Sequence, residues 1–174
     1  MRTLIFTIIA VIILPFQGFS DENTPSKFRD TPYGPQNVVY EFNYQTPEEG
    51  VAALAYIRNH LRALEEFGDV AKDSNIVVVF HGYEVHAMAR EQAEHFPKVY
   101  NELKQLTDKG VQFYLCRNSA RGKGYKPEDF YDLITVVPAG MSEIGYWQSK
   151  GYGYINPQMN NSMSREDLGL SNKR

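Results

Sequence analysis

The sequence predicts an α/β domain built as a three-layer sandwich, with helices on both faces of a mainly parallel sheet of about five strands. Two observations lead to this fold class. Apolar and β-branched runs of strand length alternate along the chain with segments of helical periodicity, which is typical of parallel strands joined by crossover helices. The run NIVVVF at 75–80 is continuous rather than alternating, which indicates a strand buried on both faces.

The first half of the domain begins with a strand, a helix and a second strand. Residues 37–44 (NVVYEFNY) are β-branched and aromatic, which predicts the first strand. Residues 46–49 (TPEE) form a capping box with proline at the first helical position, so a helix begins there. Apolar residues recur at helical spacing as far as Leu64, and Gly68 ends the helix. The run at 75–80 is then the second strand.

The second half repeats the alternation. Residues 87–109 have a helical composition, interrupted before Pro97 because proline disfavours the helical conformation in the preceding residue. Gly110 ends this helix, and the remaining predicted elements are a strand at 111–116 (VQFYLC), a short helix at 127–131, a strand at 133–137 (LITVV), a helix at 141–150 and a short strand at 152–155. The predicted domain therefore spans residues 37–157.

Both ends of the chain are predicted to lie outside this domain. Residues 4–16 (LIFTIIAVIILPF) are almost wholly apolar, too short for a spanning helix of ~20 residues but typical of a secretory signal. Small residues at 18 and 20 predict a signal peptide at 1–20, cleaved before Asp21, and a periplasmic or secreted protein without a membrane anchor. Residues 21–36 are a proline-containing linker or arm, and residues 158–174 are a polar tail.

Charge and cysteine content narrow the function classes. The formal net charge of −3 gives no support to a nucleic-acid partner, which favours a basic surface. The chain has one cysteine, Cys116, so it cannot form an internal disulfide. That thiol is either buried and inert, paired between chains, or used chemically. No cofactor and no metal site are predicted, because His81, Glu84 and His86 are a weak set of ligands.

The predicted topology points to one edge of the sheet. In open parallel sheets the functional crevice lies beyond the carboxyl ends of the strands. Three segments meet that condition, and they are His81 with Gly82, Cys116 with Arg117 and Asn118, and residues 138–141 with Gly140 and Met141. Candidate binding residues are therefore Gly82, Arg117, Asn118, Ser119, Arg121, Gly140 and Met141.

Cys116 is the candidate nucleophile at this edge. Asn118 and Ser119 are good helix-capping residues, and Arg117 and Arg121 are nearby cations, so the thiolate form is favoured. His81 is the candidate base or anion donor beside it. The residues alone leave a second interpretation open, in which Cys116 is a small buried hydrophobic side chain and His81 is hydrogen-bonded to backbone at a strand end.

Three stretches of the chain resemble the DsrE/DsrF-like family of small sulfur-metabolism proteins, in its exported, stand-alone branch. They are NIVVVFHGYEV (75–85), LTDKGVQFYLCRNSARGKGY (106–125) and VVPAGMSEIGYWQSKGYGYINP (136–157). The resemblance implies a three-layer α/β fold, homo-oligomers such as trimers or hexamers, and a persulfide carried on Cys116. It highlights His81 without giving it a role, and Arg121 matches an arginine that follows the cysteine in relay members.

These observations give one leading function and one alternative. The leading prediction is a sulfur-handling protein, a sulfurtransferase or sulfur carrier, that carries or transfers persulfide sulfur on Cys116 in the periplasm. Its partner would be a sulfur donor or acceptor protein, or a small sulfur compound. The alternative is a non-catalytic module that binds a small ligand or a partner at the same crevice, with Cys116 structural.

Overall fold

The computed structural model describes residues 24–159 and 167–169. The predicted signal peptide lies outside these residues. Residues 24–30 contain no helix or strand and belong to a separate unit, and the domain begins at Thr31. Within the described ranges, no helix has the length and apolar content needed to cross a membrane.

Five strands form a single sheet in the order β4-β3-β2-β1-β5. All four neighbouring pairs are parallel, so the predicted α/β fold with a parallel sheet is confirmed. The strands are β1 (Asn37–Phe42), β2 (Asn75–Phe80), β3 (Gln112–Cys116), β4 (Ile134–Val137) and β5 (Gly153–Ile155). The sequence located each of them to within two residues at either end.

Four α-helices connect or flank these strands. They are α1 (Pro47–Glu66), α2 (Val99–Thr107), α3 (Arg117–Gly122) and α4 (Gly140–Ser149). The predicted capping box starts α1, because the Thr46 hydroxyl accepts the N–H of Glu49 and the Glu49 carboxylate accepts the N–H of Thr46, each at 3.2 Å.

The helices lie on both faces of the sheet because the chain reverses direction across it. From β1 to β4 the chain moves steadily towards one edge, and it then returns to place β5 beside β1. Right-handed crossovers therefore put the last connection, α4, on the opposite face from α1 and α2. Leu54 of α1 and Leu103 of α2 pack in the larger core, and Ile144 of α4 packs on Val77 and Val79 in the smaller one.

The segment after β2 differs most from the prediction. Helical residues were expected over 87–109 with a break before Pro97. The chain instead forms 3₁₀ turns at Tyr83–Met88 and Arg90–Gln92 before the break, and α2 follows it from Val99. Val85 and Met88 are fully buried against α1, so tertiary packing outweighs local helical propensity here. The helix expected at 127–131 is a 3₁₀ turn at Pro127–Asp129, and the short α3 was not predicted.

Three residues of the predicted linker and tail, Tyr33, Gln36 and Gln158, form hydrogen bonds with the domain. Tyr33 donates its N–H to the Phe67 carbonyl oxygen at 2.6 Å, and Gln36 donates its N–H to the Ser74 hydroxyl at 3.0 Å. At the other end, the Gln158 carbonyl accepts the Tyr56 hydroxyl at 3.2 Å. Most of the predicted tail at 158–174 lies outside the described residues.

His60 holds the start of the domain to α1 in its neutral form. The His60 Nε2 lies 2.9 Å from the Gln36 side-chain oxygen, which can only accept, so this nitrogen carries the proton. The other ring nitrogen, Nδ1, therefore accepts the Tyr40 hydroxyl at 2.8 Å. Burial of the ring lowers the pKa of His60 from its ordinary value of 6.5.

We expect the stability of the domain to fall in mild acid partly through His60. Because its pKa is lowered in the folded state, the unfolded chain binds a proton first, so stability is full above a pH of about 6.5 and falls as the pH drops towards the lowered pKa. Urea unfolding at roughly pH 7.5 and pH 5.5 should show a smaller acid loss in His60→Gln than in the wild type. Equal losses in both proteins would contradict this assignment.

Candidate functional site

Cys116 is the last residue of β3 and the N-cap of α3. Its side chain lies on the same face of the sheet as Tyr114, because alternate residues of a strand share a face, and this is the face that α4 covers. The residue is 6% exposed. Its sulfur accepts the backbone N–H of Ser119 at 3.5 Å, so the cysteine itself caps α3.

The surroundings of the thiol are polar in spite of its burial. Burial raises the pKa of Cys116, but hydrogen bonds from Ser119, Gly140 and Asn118, which include their backbone N–H groups, lower it. The hydrogen bonds prevail, and the pKa lies below the ordinary value for a thiol. The donors come from the first residues of two helices, α3 and α4, whose N–H groups have no partner within the helix.

His81 lies beside Cys116, as the topology predicted. The pairing of Phe80 with Leu115 brings the next residue of each strand side by side at the carboxyl edge. Gly140, the first residue of α4, packs on both, because a Cβ at this position would lie 3.1 Å from the Cβ of His81 and 3.2 Å from the Cβ of Cys116. A glycine at position 140 therefore lets the start of α4 approach the thiol closely enough to donate to it.

Ser119 connects the histidine segment to the cysteine. Its hydroxyl donates to the His81 carbonyl oxygen at 2.8 Å, and its backbone N–H donates to the Cys116 sulfur. The sequence identified Ser119 as a capping residue, but Cys116 occupies the N-cap position of α3. Ser119 instead holds the ends of β2 and β3 together from the third position of the helix.

Gly82 is required by another segment of backbone. A Cβ at this position would lie 2.4 Å from the backbone nitrogen of Tyr44, a distance that no real side chain tolerates. The Gly82 N–H donates to the carboxylate of Glu84 at 2.8 Å. The sequence predicted Gly82 as a binding residue, and in the structure the glycine makes room for the chain segment after β1.

Glu84 was absent from the predicted binding set, and it is fully buried. One carboxylate oxygen accepts the backbone N–H groups of His81 and Gly82, and the other accepts the N–H of Tyr44, at 2.8–3.0 Å. Burial raises the pKa of Glu84, and these hydrogen bonds partly offset the rise. Gly50 of α1 packs directly against its side chain. Glu84 therefore fixes the turn that presents His81.

Glu41 contacts the side chain of His81, and it is a second acidic residue that is absent from the predicted site. Glu41 is 7% exposed, and one of its carboxylate oxygens lies 2.7 Å from His81 Nε2. The other oxygen accepts the Tyr154 hydroxyl and, at 3.0 Å, the side-chain amide of Asn156. A signal was present in the sequence, since Glu41 is an acidic residue among the apolar residues of a predicted strand.

The remaining predicted site residues lie on the surface around this edge. Arg117, Asn118, Arg121 and Met141 are exposed, and the strongest influences that lower the pKa of Cys116 are hydrogen bonds rather than the two guanidinium groups. Among the described residues, no three His, Cys, Asp or Glu side chains converge as metal ligands. A surface cavity of about 360 Å³ lies elsewhere, and it is lined by Pro47, Glu48, His86, Gln92, His95 and Phe96.

We expect Glu84→Gln to destabilise the domain. The amide nitrogen of glutamine cannot accept a hydrogen bond, so at least one buried backbone N–H loses its partner, at a cost of about 1–3 kcal/mol. Urea unfolding followed by Trp147 fluorescence measures the change. Glu94→Gln, on an exposed carboxylate, is the matched control and should stay within about 0.5 kcal/mol of the wild type. Equal stabilities of the two variants would show that Glu84 does not hold the turn.

Comparison with known proteins agrees with this fold. A solved structure of a protein of unknown function, MTH1491 from Methanobacterium thermoautotrophicum, superimposes with a TM-score of 0.56 and 25% sequence identity, over 70% of this chain and 99% of that one. No curated protein shows significant sequence similarity. The family model described as the DsrE/DsrF-like family matches residues 47–157, which include His81, Cys116 and Gly140. The chain belongs to the DsrE/DsrF-like family.

Proposed function

We propose that this protein accepts sulfane sulfur on Cys116 as a persulfide and passes it to an acceptor. Membership of the DsrE/DsrF-like family suggests a role of the sulfur-relay type. The observation that carries the proposal is the set of hydrogen bonds to the Cys116 sulfur. Backbone N–H groups from α3 and α4 lower the pKa of this thiol although it is almost wholly buried. A cysteine that only filled space would need no such donors.

The proposed chemistry needs no oxidant or cofactor. The Cys116 thiolate attacks the sulfane sulfur of a donor, a new S–S bond forms, and the donor's own S–S bond breaks with its electron pair leaving on the departing group. With thiosulfate the departing group is sulfite, and with a persulfide it is a thiolate. An acceptor thiolate then attacks the outer sulfur of the Cys116 persulfide, and Cys116 leaves as the thiolate that its hydrogen bonds stabilise.

The site also accounts for how the persulfide would be held. The N–H groups of Asn118, Ser119 and Gly140 are fixed by helix geometry, so they need no rearrangement as charge moves onto or off the sulfur. These backbone N–H groups are uncharged, so their effect on the Cys116 sulfur does not depend on pH. Exposed Arg117 and Arg121 lie near the same edge, where they attract anionic sulfur compounds over a longer range.

We expect purified protein incubated with polysulfide or thiosulfate to gain about 32 Da, one sulfur atom, on Cys116. Mass spectrometry of the intact chain and of its peptides detects the adduct. Cys116→Ser should gain none. Two added oxygen atoms have almost the same mass, and Met141 is 65% exposed, so the peptide masses must place the adduct on Cys116 and not on this methionine. Reduction by dithiothreitol should remove the adduct and release sulfide.

Two results together would reject the sulfur-carrier function. They are the absence of a reducible adduct with either donor, and a Cys116 thiol that does not react with iodoacetamide near neutral pH in the folded protein. Denatured protein provides the control for alkylation, because its thiol is fully accessible.

The alternative function is a module that binds a ligand or a partner, with Cys116 structural. The observation in its favour is the 6% exposure of Cys116, which leaves little of the sulfur open to a reactant. Under this alternative, Cys116→Ala would leave binding intact and would mainly lower stability. Under the sulfur-carrier function the same substitution abolishes transfer in a protein that is still folded.

We also propose that the protein acts in the periplasm or outside the cell, on the basis of the apolar run at 4–16. N-terminal sequencing of protein from the exported fraction should begin at Asp21. Protein that retains Met1 in the cytoplasmic fraction would contradict this location. The donor and acceptor would then be sulfur compounds or proteins of that compartment.

We further propose a homo-oligomer, a trimer or a hexamer, as the family resemblance implies. Exposed apolar residues support this, because Met141 and Tyr146 on α4 and Tyr154 and Ile155 on β5 leave large side chains open to solvent. Light scattering should give a trimer or hexamer mass, and Tyr146→Glu should lower it. A monomer at micromolar concentration would contradict the oligomer.

A further inference from the structure

Three acid–base side chains lie in a row across the carboxyl edge of the sheet. Glu41 is on β1, His81 follows β2, and Cys116 ends β3. In the strand register, Val79 pairs with Glu41 of β1 and with Tyr114 of β3. Because alternate residues of a strand share a face, the side chains of Glu41, His81 and Cys116 all lie on the face covered by α4. His81 therefore lies between the carboxylate on one side and the thiol on the other.

Glu41 fixes which nitrogen of His81 carries the proton. A carboxylate can only accept, so the Nε2 that lies 2.7 Å away donates its hydrogen to Glu41. In neutral imidazole the other nitrogen, Nδ1, then has a free electron pair and can accept a proton. Both side chains are shielded, with 13% of His81 and 9% of Glu41 exposed, so the interaction is only weakly screened by solvent.

The carboxylate is itself held at the point where the sheet reverses its strand order. β5 returns beside β1, and from this strand and the residue after it Tyr154 and Asn156 donate to the second oxygen of Glu41. In parallel sheets this position is where ligands usually bind. A buried carboxylate–histidine pair is weak evidence of stabilisation, since desolvation offsets much of the attraction, so its position here favours a functional role.

We propose that Glu41 is a positioning residue that makes His81 the proton shuttle for Cys116, and that the preferred sulfur donors are therefore persulfides and polysulfides, whose leaving group is a thiolate. This inference rests on the proposed function. His81 Nδ1 accepts the Cys116 proton, the thiolate attacks the outer sulfur of R–S–SH, and the departing R–S⁻ receives the proton back. The balance is Cys116–SH + R–S–SH → Cys116–S–SH + R–SH. Sulfite leaving from thiosulfate needs no proton, so with that donor the shuttle serves only to deprotonate Cys116.

The groups that face His81 can be named for each packed element. Glu41 comes from β1, Cys116 from β3, and Tyr154 reaches the pair from β5. The Glu84 carboxylate binds the backbone N–H of His81 rather than its ring, and α4 contributes the uncharged Gly140. The groups that take part in the shuttle are therefore His81, Glu41 and Cys116.

The test compares Glu41→Gln with Glu94→Gln, a matched change at an exposed carboxylate. Sulfur uptake is timed by mass spectrometry with glutathione persulfide and with thiosulfate as donors. In Glu41→Gln we expect uptake from the persulfide to slow by at least about tenfold, since general acid–base catalysis contributes at least that much. Uptake from thiosulfate, which uses His81 to deprotonate Cys116 but not to return the proton, should slow less than uptake from the persulfide. Equal slowing with both donors, or none with either, would overturn the inference.

Alkylation of Cys116 by iodoacetamide across pH gives a second readout that needs no sulfur donor. In Glu41→Gln the pH midpoint of Cys116 alkylation should move upward, because the His81 ring loses the carboxylate that holds the proton on Nε2 and leaves Nδ1 open to the thiol. His81→Ala should also raise the pH midpoint of alkylation. The double variant, Glu41→Gln with His81→Ala, should raise this midpoint no further than His81→Ala alone. If the wild type takes sulfur from neither donor but these shifts occur, the proposed function fails while the shuttle stands. If uptake occurs and the variants match Glu94→Gln, only the shuttle fails.

A measurement on the wild type keeps the test independent of how well the variants fold. Nitrogen NMR of labelled histidine should show neutral His81 protonated on Nε2 and unprotonated on Nδ1. The opposite tautomer would overturn the inference, because Nδ1 would then have no electron pair for the thiol proton.

Discussion

The carboxylate of Glu84 holds together the part of the molecule on which the site depends. It is fully buried, and it accepts backbone N–H groups from Tyr44, His81 and Gly82, which follow β1 and β2. Two glycines allow this arrangement, since Gly50 makes room on α1 and Gly82 makes room beside Tyr44. Without the acceptor, the N–H groups of Tyr44 and Gly82 would be buried without partners, whereas the His81 N–H would keep the Phe42 carbonyl at 3.0 Å.

The 3₁₀ turn after β2 also determines which groups surround Cys116. The His81 carbonyl accepts the Ser119 hydroxyl, which places α3 against the end of β2, and α3 directs backbone N–H groups at the sulfur. Gly140 brings the start of α4 to the same sulfur. The polar environment of the thiol therefore comes from two helix N-termini that the sheet and the 3₁₀ turn bring together.

Glu41 and Glu84 are two buried carboxylates that both contact His81 but serve different purposes. Glu84 accepts only from backbone, so it determines the path of the chain. Glu41 accepts from the side chains of His81, Tyr154 and Asn156, so it determines the orientation and protonation of a ring. The first fixes the turn after β2, whereas the second lies at the strand reversal where parallel sheets bind ligands.

The sequence by itself determined the fold class, the strands and the edge at which the site lies. Hydrophobic periodicity, the capping box at 46–49 and the continuous run at 75–80 are local signals, and they identified the five strands, α1 and α4. Because parallel strands end at the same edge, they also placed His81, Cys116 and Gly140 together. Only the tertiary structure decided the 3₁₀ turn at Tyr83–Met88, because burial against α1 outweighs the helical propensity of that segment.

The two carboxylates also depended on the tertiary structure. A buried carboxylate is stable only with donors around it, and the donors of Glu41 and Glu84 come from residues up to 115 positions away in the chain. No local pattern records such a partnership, although an acidic residue inside an apolar strand indicates that one exists. The lone Cys116 was visible in the sequence, but the two helix N-termini that lower its pKa meet only after β2, β3 and α4 have packed.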